Sequence, residues 1–154
     1  MRGIFLTTAL LLQPTVADAA NFAVACVGTS YAENNLTGTA TQSTDPLPKQ
    51  IYIIDGDGKT VQRALEPRQQ LDDICPSSKA HPSVDISPGL IRVTGAPDFS
   101  QNSIECSLEL DRQTGKGLFT LKMNFPGNRY NRLRWEMTCE KTSVPAFNTR
   151  KNKF

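Results

Sequence analysis

The chain has little of what most catalytic and metal sites are built from. It contains one histidine, His81, and no C-x-x-C, H-E-x-x-H, G-x-S-x-G or phosphate-binding glycine loop. A histidine-based triad needs a nucleophile and an orienting acid, and a zinc site needs several closely placed Cys or His ligands. The sequence therefore predicts no catalytic residue, no metal and no cofactor.

A strong charge of one sign is also lacking. The chain has 17 Lys and Arg against 15 Asp and Glu, for a formal net charge of +2 at pH 7. Dedicated nucleic-acid-binding proteins usually carry a pronounced basic patch, so we expect no nucleic-acid partner. Part of the basic excess lies in residues 148–154, which we interpret as a frayed, solvated tail.

Long apolar runs are missing except at the N-terminus. After Met1-Arg2, residues 3–12 are mainly apolar, Pro14 breaks the run, and small residues follow up to Ala20. This order is typical of a secretory signal, and the run is half of the roughly 20 residues that a membrane span needs. We predict residues 1–19 as a signal peptide cleaved near Ala19, residues 20–147 as a single β domain, no integral membrane span, and a periplasmic or secreted protein.

All four cysteines follow the predicted cleavage site. An even number of cysteines in an exported chain predicts two disulfides. The cysteines concerned are Cys26, Cys75, Cys106 and Cys139.

The last third of the chain alternates apolar and polar residues in three successive runs. The runs are Ile104–Asp111, Phe119–Phe125 and Leu133–Cys139, and turn residues separate them at 111–116 and 126–128. Successive side chains of a strand point to opposite faces, so each run predicts a strand with one buried face. Three such strands joined by tight turns predict an antiparallel meander.

The earlier part of the chain contains shorter strand signals. We predict strands at Phe22–Gly28, Ile51–Ile54, Thr60–Leu65 and around Leu90–Thr94. The segment 66–74 fits either a short helix or an irregular strand. Residues 30–49 are polar, and we interpret them as a long exposed excursion with one weak strand at most. The fold class is then all-β, a small antiparallel barrel or sandwich of about seven to nine strands.

The meander restricts the disulfide pairing. Cys106 begins its strand and Cys139 ends the strand two places on, so they lie about 20 Å apart. A disulfide needs Cα atoms within about 7 Å, which excludes Cys106–Cys139 and with it Cys26–Cys75. Two pairings survive. We favour Cys26–Cys139 with Cys75–Cys106, because a closed barrel places its first and last strands side by side.

Asp55-Gly56-Asp57-Gly58 resembles the start of a calcium loop. In an EF-hand, however, Lys59 would replace an oxygen ligand and Thr60 the required glycine. We therefore interpret the segment as a hairpin turn.

A basic stretch on the last strand is the candidate binding site. Its residues are Arg129, Tyr130, Arg132 and Arg134. An anionic glycan or lipid, or an envelope protein, is the partner that it indicates. The outward Glu105 and Glu109 predict a surface of mixed charge on the same face.

Several short motifs in the chain are shared with a known group of proteins. Leu108 to Gly115 reads L-E-L-D-R-Q-T-G, an early F-x-x-x-C-x-G run spans residues 22–28, and Cys139 is followed by Pro145. The chain thereby resembles a group of small exported bacterial β proteins with an "ID-R-x-T-G" hairpin, although its middle segment, residues 60–97, is longer. The resemblance implies a bacterial periplasmic or secreted β protein and no particular activity.

The sequence thus predicts an exported binding module or envelope structural protein. One alternative is a small secreted hydrolase that uses loop carboxylates or His81, in which Asp72, Asp73 or His81 would converge with Arg92 in a cleft. The other is a periplasmic enzyme-inhibitor barrel. We expect the inward side chains of the meander to fill the interior, leaving the loops or the outer face for binding; they are Leu108, Phe119, Leu121, Trp135 and Met137.

Overall fold

The computed structural model describes residues 21–65, 70–75, 81–95 and 103–145, and within these ranges it contains nine strands and no helix. The predicted signal peptide and the basic tail lie outside the described residues. The strands are β1 (Phe22–Asn34), β2 (Thr41–Asp55), β3 (Thr60–Leu65), β4 (Gln70–Asp73), β5 (Ser83–Ile86), β6 (Leu90–Thr94), β7 (Ser103–Asp111), β8 (Lys116–Phe125) and β9 (Arg129–Thr142).

All nine strands form one antiparallel sheet that curls into a half-barrel. Its order is β4-β3-β2-β1-β9-β8-β7-β6-β5. The all-β prediction is confirmed, and the strand number lies at the upper end of the expected range. The first and last strands do lie side by side, but they pair in the middle of the sheet. Among the described residues, the two sheet edges are therefore the short strands β4 and β5.

The C-terminal meander is confirmed. β7 pairs with β8 and β8 with β9, with Cys106 opposite Leu121 and Leu121 opposite Leu133. Cys139 lies six residues further along β9, where it is directly opposite Cys26 of β1. The alternation of apolar residues sets this register, because slipping by one residue would turn each buried face outward.

Both disulfides follow the favoured pairing. Cys26–Cys139 joins neighbouring strands with Cα atoms 4.0 Å apart, close to the spacing of a non-hydrogen-bonded antiparallel pair. Cys75–Cys106, with Cα atoms 5.6 Å apart, ties the segment after β4 to β7. In sheet order β4 and β7 are far apart, so this second bridge holds the curl of the sheet.

The predicted excursion at residues 30–49 is wrong, because β1 and β2 continue through it as a long hairpin. β1 pairs with β2 as far as Asn34–Thr41 and with β9 as far as Asn34–Asn131. The β1 part of this polar segment therefore has a paired strand on each side, whereas its β2 part pairs with β1 alone, and most of its side chains stay exposed. The ambiguous segment 66–74 contains a strand, β4, at Gln70–Asp73.

The core fills the middle of the concave face. Tyr52, Ile54, Ile91, Val93 and Leu108 are almost completely buried. Phe119 and Met137 are buried beside them, and Leu121, Leu133 and Trp135 pack against this cluster. The Phe119 and Trp135 rings lie 4.4 Å apart between centroids. The middle of the half-barrel is therefore filled by side chains, as the alternation predicts.

Tyr52 makes the stability of this core sensitive to alkaline pH. Its hydroxyl donates to Met137 Sδ at 3.6 Å, and burial raises the pKa of the phenol to about 12, against the opposing charge of Arg63. In the unfolded chain the pKa is about 10, so the unfolded state loses this proton first. The stabilisation of the folded state by the neutral Tyr52 phenol is therefore complete below pH about 10. As the pH rises through about 12, the free energy of unfolding falls by about 2–3 kcal/mol.

Urea unfolding at stepped alkaline pH measures this loss. Tyr52→Phe keeps the ring and removes the titrating hydroxyl, so the free energy of unfolding of this variant should fall less over the same pH interval than that of the unaltered protein. Parallel pH profiles for the two proteins would show that the phenol is not desolvated as described.

Candidate functional site

One end of the half-barrel opens into a depression of about 1010 Å³, which we call the mouth. The start of β1, the end of β9 and the β2–β3, β5–β6 and β7–β8 turns surround it. These segments meet because Phe22 is opposite Ile54, and β9 ends beside the start of β1. Antiparallel pairing then brings the alternate turns of the sheet to the same end.

The floor of the mouth is apolar. It consists of Phe22, Val24, Ile86, Ile91 and Leu110, of which Ile91 and Leu110 are buried and the other three are half-buried. One layer further along β7 and β9, Leu108 and Met137 close the interior. The mouth is therefore a shallow depression above a filled core.

Two aspartate-capped turns shape the rim. Asp55 Oδ1 accepts from the amides of Asp57 and Gly58 at 3.0 and 2.8 Å, which confirms the turn and leaves the calcium interpretation without support. Asp111 Oδ1 accepts from the amides of Gln113 and Thr114 at 2.8 and 2.9 Å. These backbone donors lower the pKa of the Asp111 carboxyl. In both turns the fourth residue after the aspartate has positive φ.

That left-handed residue is Lys59 in one turn, with φ 47°, and Gly115 in the other, with φ 68°. Lysine pays a steric penalty in this conformation that glycine avoids. The β2–β3 turn nevertheless places Lys59 among the residues that line the mouth.

Cations dominate the rim. Lys59, Arg112 and Lys141 line the mouth, and all three are exposed. The only carboxylate among the described lining residues is Asp111, which already accepts two backbone hydrogen bonds. The mouth thus combines an apolar floor with a net positive rim.

Arg112 is held over the floor. Its Nη1 donates to the carbonyl of Ser87 at 3.1 Å, and its amide donates to the carbonyl of Gly89 at 2.9 Å. The guanidinium carbon lies 5.2 Å from the centroid of the Phe22 ring, within the range of a cation–π contact. These contacts join the β7–β8 turn to the β5–β6 turn and to β1.

Three of the four predicted binding residues lie elsewhere, on the outer face. Tyr130, Arg132 and Arg134 alternate along β9, and the two arginines line a groove of about 600 Å³, the outer groove. Arg129 has the opposite side-chain parity on β9, and its Nε donates to the carbonyl of Pro126 at 3.0 Å. The structure therefore brings three of the four predicted residues to one face.

Carboxylates neutralise the arginines of the outer groove. Arg132 lies 3.4 Å from Glu33 and Arg134 lies 2.5 Å from Glu136. Tyr130 donates to Glu33 at 2.8 Å, a hydrogen bond that raises the pKa of the phenol, and Arg132 stacks 4.4 Å from its ring centroid. This is the mixed-charge surface that the sequence predicts, and it is less suited to an anion than the rim of the mouth.

The residues considered for a hydrolase do not converge. Asp72 lies 3.5 Å from Arg63, whose guanidinium carbon is 5.7 Å from the Trp135 ring centroid. Arg92 pairs with Glu109 at 2.8 Å. His81 is exposed and, like Asp73, lines neither the mouth nor the outer groove. Within the described ranges, no three His, Cys, Asp or Glu side chains are grouped to hold a metal ion.

Sequence reasoning missed the mouth. Its rim residues Lys59, Arg112 and Lys141 lie far apart in sequence, in two turns and at a strand end. The meander alone indicates that the β7–β8 turn and the end of β9 share one end of the sheet. Placing Lys59 there also requires the pairing of β1 with both β2 and β9, which no local pattern encodes.

Comparisons with known proteins found no matching family model, no similar curated protein and no similar solved structure. Within the described ranges, no helix is long and apolar enough to cross a membrane.

Proposed function

We propose that the protein is an exported, periplasmic or secreted binding module that receives an apolar group of its ligand in the mouth. The two disulfides support export, because such bonds persist mainly in oxidising compartments. The segment up to Ala19 has the order of a cleavable signal. If the signal is cleaved as proposed, the protein recovered outside the cytoplasm will begin at Ala20, which intact-mass measurement tests directly.

The binding proposal rests on the apolar floor of the mouth. This floor is open to water at one end of the disulfide-linked half-barrel. Phe22, Val24 and Ile86 remain half-buried there, beside Cys139 of the β1–β9 disulfide. Covering such a surface removes apolar area from water, which favours association. Concave, mostly apolar depressions with a few polar groups at the edge are the usual form of small-ligand sites.

Titration with N-phenylnaphthylamine, a neutral apolar fluorophore, tests this proposal. Ile86→Thr keeps the branched shape that strands favour and removes apolar surface from the floor, so the fluorophore should bind about tenfold more weakly. Val84→Thr is the matched control, because Val84 also lies on β5 and packs on the core but does not line the mouth.

Fluorescence enhancement with the unaltered protein and with Val84→Thr, together with weak binding by Ile86→Thr, would support the proposal. Absence of binding by the unaltered protein, or equal weakening by both substitutions, would overturn it. Thermal unfolding of each variant establishes that the comparison is made on folded protein.

A further inference from the structure

We infer that the ligand of the mouth is a single-chain amphiphile with an anionic head group, of the chemical class of a medium-length fatty carboxylate. The inference rests on the proposed function and adds the head group and the number of chains. Its tail would lie on the apolar floor, and its carboxylate would meet the cationic rim.

Charge complementarity selects the head group. Lys59, Arg112 and Lys141 surround the floor, while the Asp111 carboxylate is directed to the amides of its own turn. The three basic side chains therefore attract an anionic head group at the rim and repel a cationic one. This contrasts with the outer groove, where Arg132 and Arg134 already pair with glutamates.

Arg112 lies where the tail and the head group of such a ligand would meet. Its guanidinium rests against the Phe22 ring, and one of its N–H groups donates to a neutral carbonyl, that of Ser87. A guanidinium has five N–H donors in a planar fork that matches a carboxylate. The contacts with Phe22 and Ser87 fix the orientation of the group in advance.

The depth of the mouth limits the tail. Phe22 and Val24 are two residues apart on one face of β1, which corresponds to about 7 Å along the strand. Beyond them, Met137 and Leu108 close the interior. A single medium-length chain therefore has to continue from this line across the floor toward Leu110 and Ile86. The paired long chains of a membrane lipid would need a depth that the filled core does not leave.

Calorimetric titration with amphiphiles that share a decyl tail tests the head group. Decanoate should bind at least tenfold more tightly than decyltrimethylammonium, both below their micelle concentrations, and added salt should weaken only the decanoate complex. Equal affinities would overturn the inference but leave the proposed function standing if N-phenylnaphthylamine still binds. Failure of all three probes would remove the proposed function itself.

Charge-removing variants locate the head group. Lys59→Asn suits the left-handed backbone at that position, and Lys141→Gln keeps an extended polar side chain. Each should weaken decanoate binding about two- to fivefold, as expected for an exposed ion pair, and should weaken it more than fluorophore binding. Lys49→Gln is the control, because Lys49 is exposed on β2 outside the mouth. If the variant that combines Lys59→Asn and Lys141→Gln binds decanoate as tightly as the unaltered protein does, the inference is overturned.

A membrane surface is the alternative source of the same chemistry. Sedimentation with phosphatidylglycerol vesicles separates the two, since a site for a monomeric single chain should leave the protein in the supernatant. Binding to vesicles without binding to decanoate would overturn the single-chain inference in favour of a membrane surface.

Discussion

Replacing Gly28 with alanine is expected to destabilise the fold by about 3 kcal/mol or more. A Cβ at this position would overlap the backbone oxygen of Glu136 and lie 2.9 Å from the Cα of Met137. Both atoms belong to the backbone of β9, so no side-chain rotation relieves the contact. The β1–β2 register also shifts between Cys26 and Gly28, so Gly28 lies at an irregular point of the strand pair. The added methyl group must therefore displace the central strand pair of the sheet.

Gly89→Ala is the matched control for this substitution. Its added Cβ would meet only Gln113 Nε2, at 3.5 Å, which is an ordinary contact with the end of a flexible side chain. Urea unfolding should show a near-neutral effect for Gly89→Ala and a large loss for Gly28→Ala. Equal stability of the two variants would mean that β1 and β9 do not approach each other as closely at Gly28 as the structure shows.

Loss of either disulfide is the other large expected effect. Cys26–Cys139 spans a sequence separation of 113 residues and Cys75–Cys106 spans 31. In the chain-entropy description, restricting the unfolded state contributes about 5 kcal/mol for the longer loop and about 4 kcal/mol for the shorter one. The double alanine variant of Cys26 and Cys139 should therefore be the less stable of the two.

Urea unfolding measures this order of stability. The free energy of unfolding is compared between the two double alanine variants and the unaltered protein under oxidising conditions. Replacing both members of a pair leaves no unpaired thiol to exchange with the remaining disulfide. If the Cys75 and Cys106 variant were clearly the less stable, the tie between β4 and β7 would stabilise the curled sheet beyond its effect on the unfolded chain. The Cys26 and Cys139 variant should also bind N-phenylnaphthylamine less tightly, because Cys139 lines the mouth.

The strands that the sequence predicts well are those with one buried and one exposed face. In β7, Cys106, Leu108 and Leu110 are buried, and their neighbours along the strand are more exposed. The alternation of apolar and polar residues therefore reflects which side chains are buried. The hairpin from residue 28 to residue 47 shows no such alternation. Its two strands pair with each other, and its β1 half also pairs with β9, while most of its side chains remain in contact with water.

The candidate sites follow the same division. Tyr130, Arg132 and Arg134 are close in sequence and alternate, so their shared face was predictable. Their partner Glu33 was not, because it lies on the part of β1 that gave no strand signal. Pairing with Glu33 and Glu136 favours the solvated surface of mixed charge, which the sequence also predicts, over an anion site in this stretch.

The sequence by itself determined the all-β class, the C-terminal meander and the exclusion of a Cys106–Cys139 disulfide, because each follows from local alternation and from chain distance. The choice between the two remaining pairings depended on which strands are neighbours, and the tertiary structure decided it. Only the tertiary structure decided that β1 lies between β2 and β9, and that the sheet curls without β4 pairing to β5 among the described residues. Those non-local pairings bring Phe22, Lys59, Arg112 and Lys141 to one opening. The mouth is therefore a product of strand order, which the pattern of side chains along any one strand does not encode.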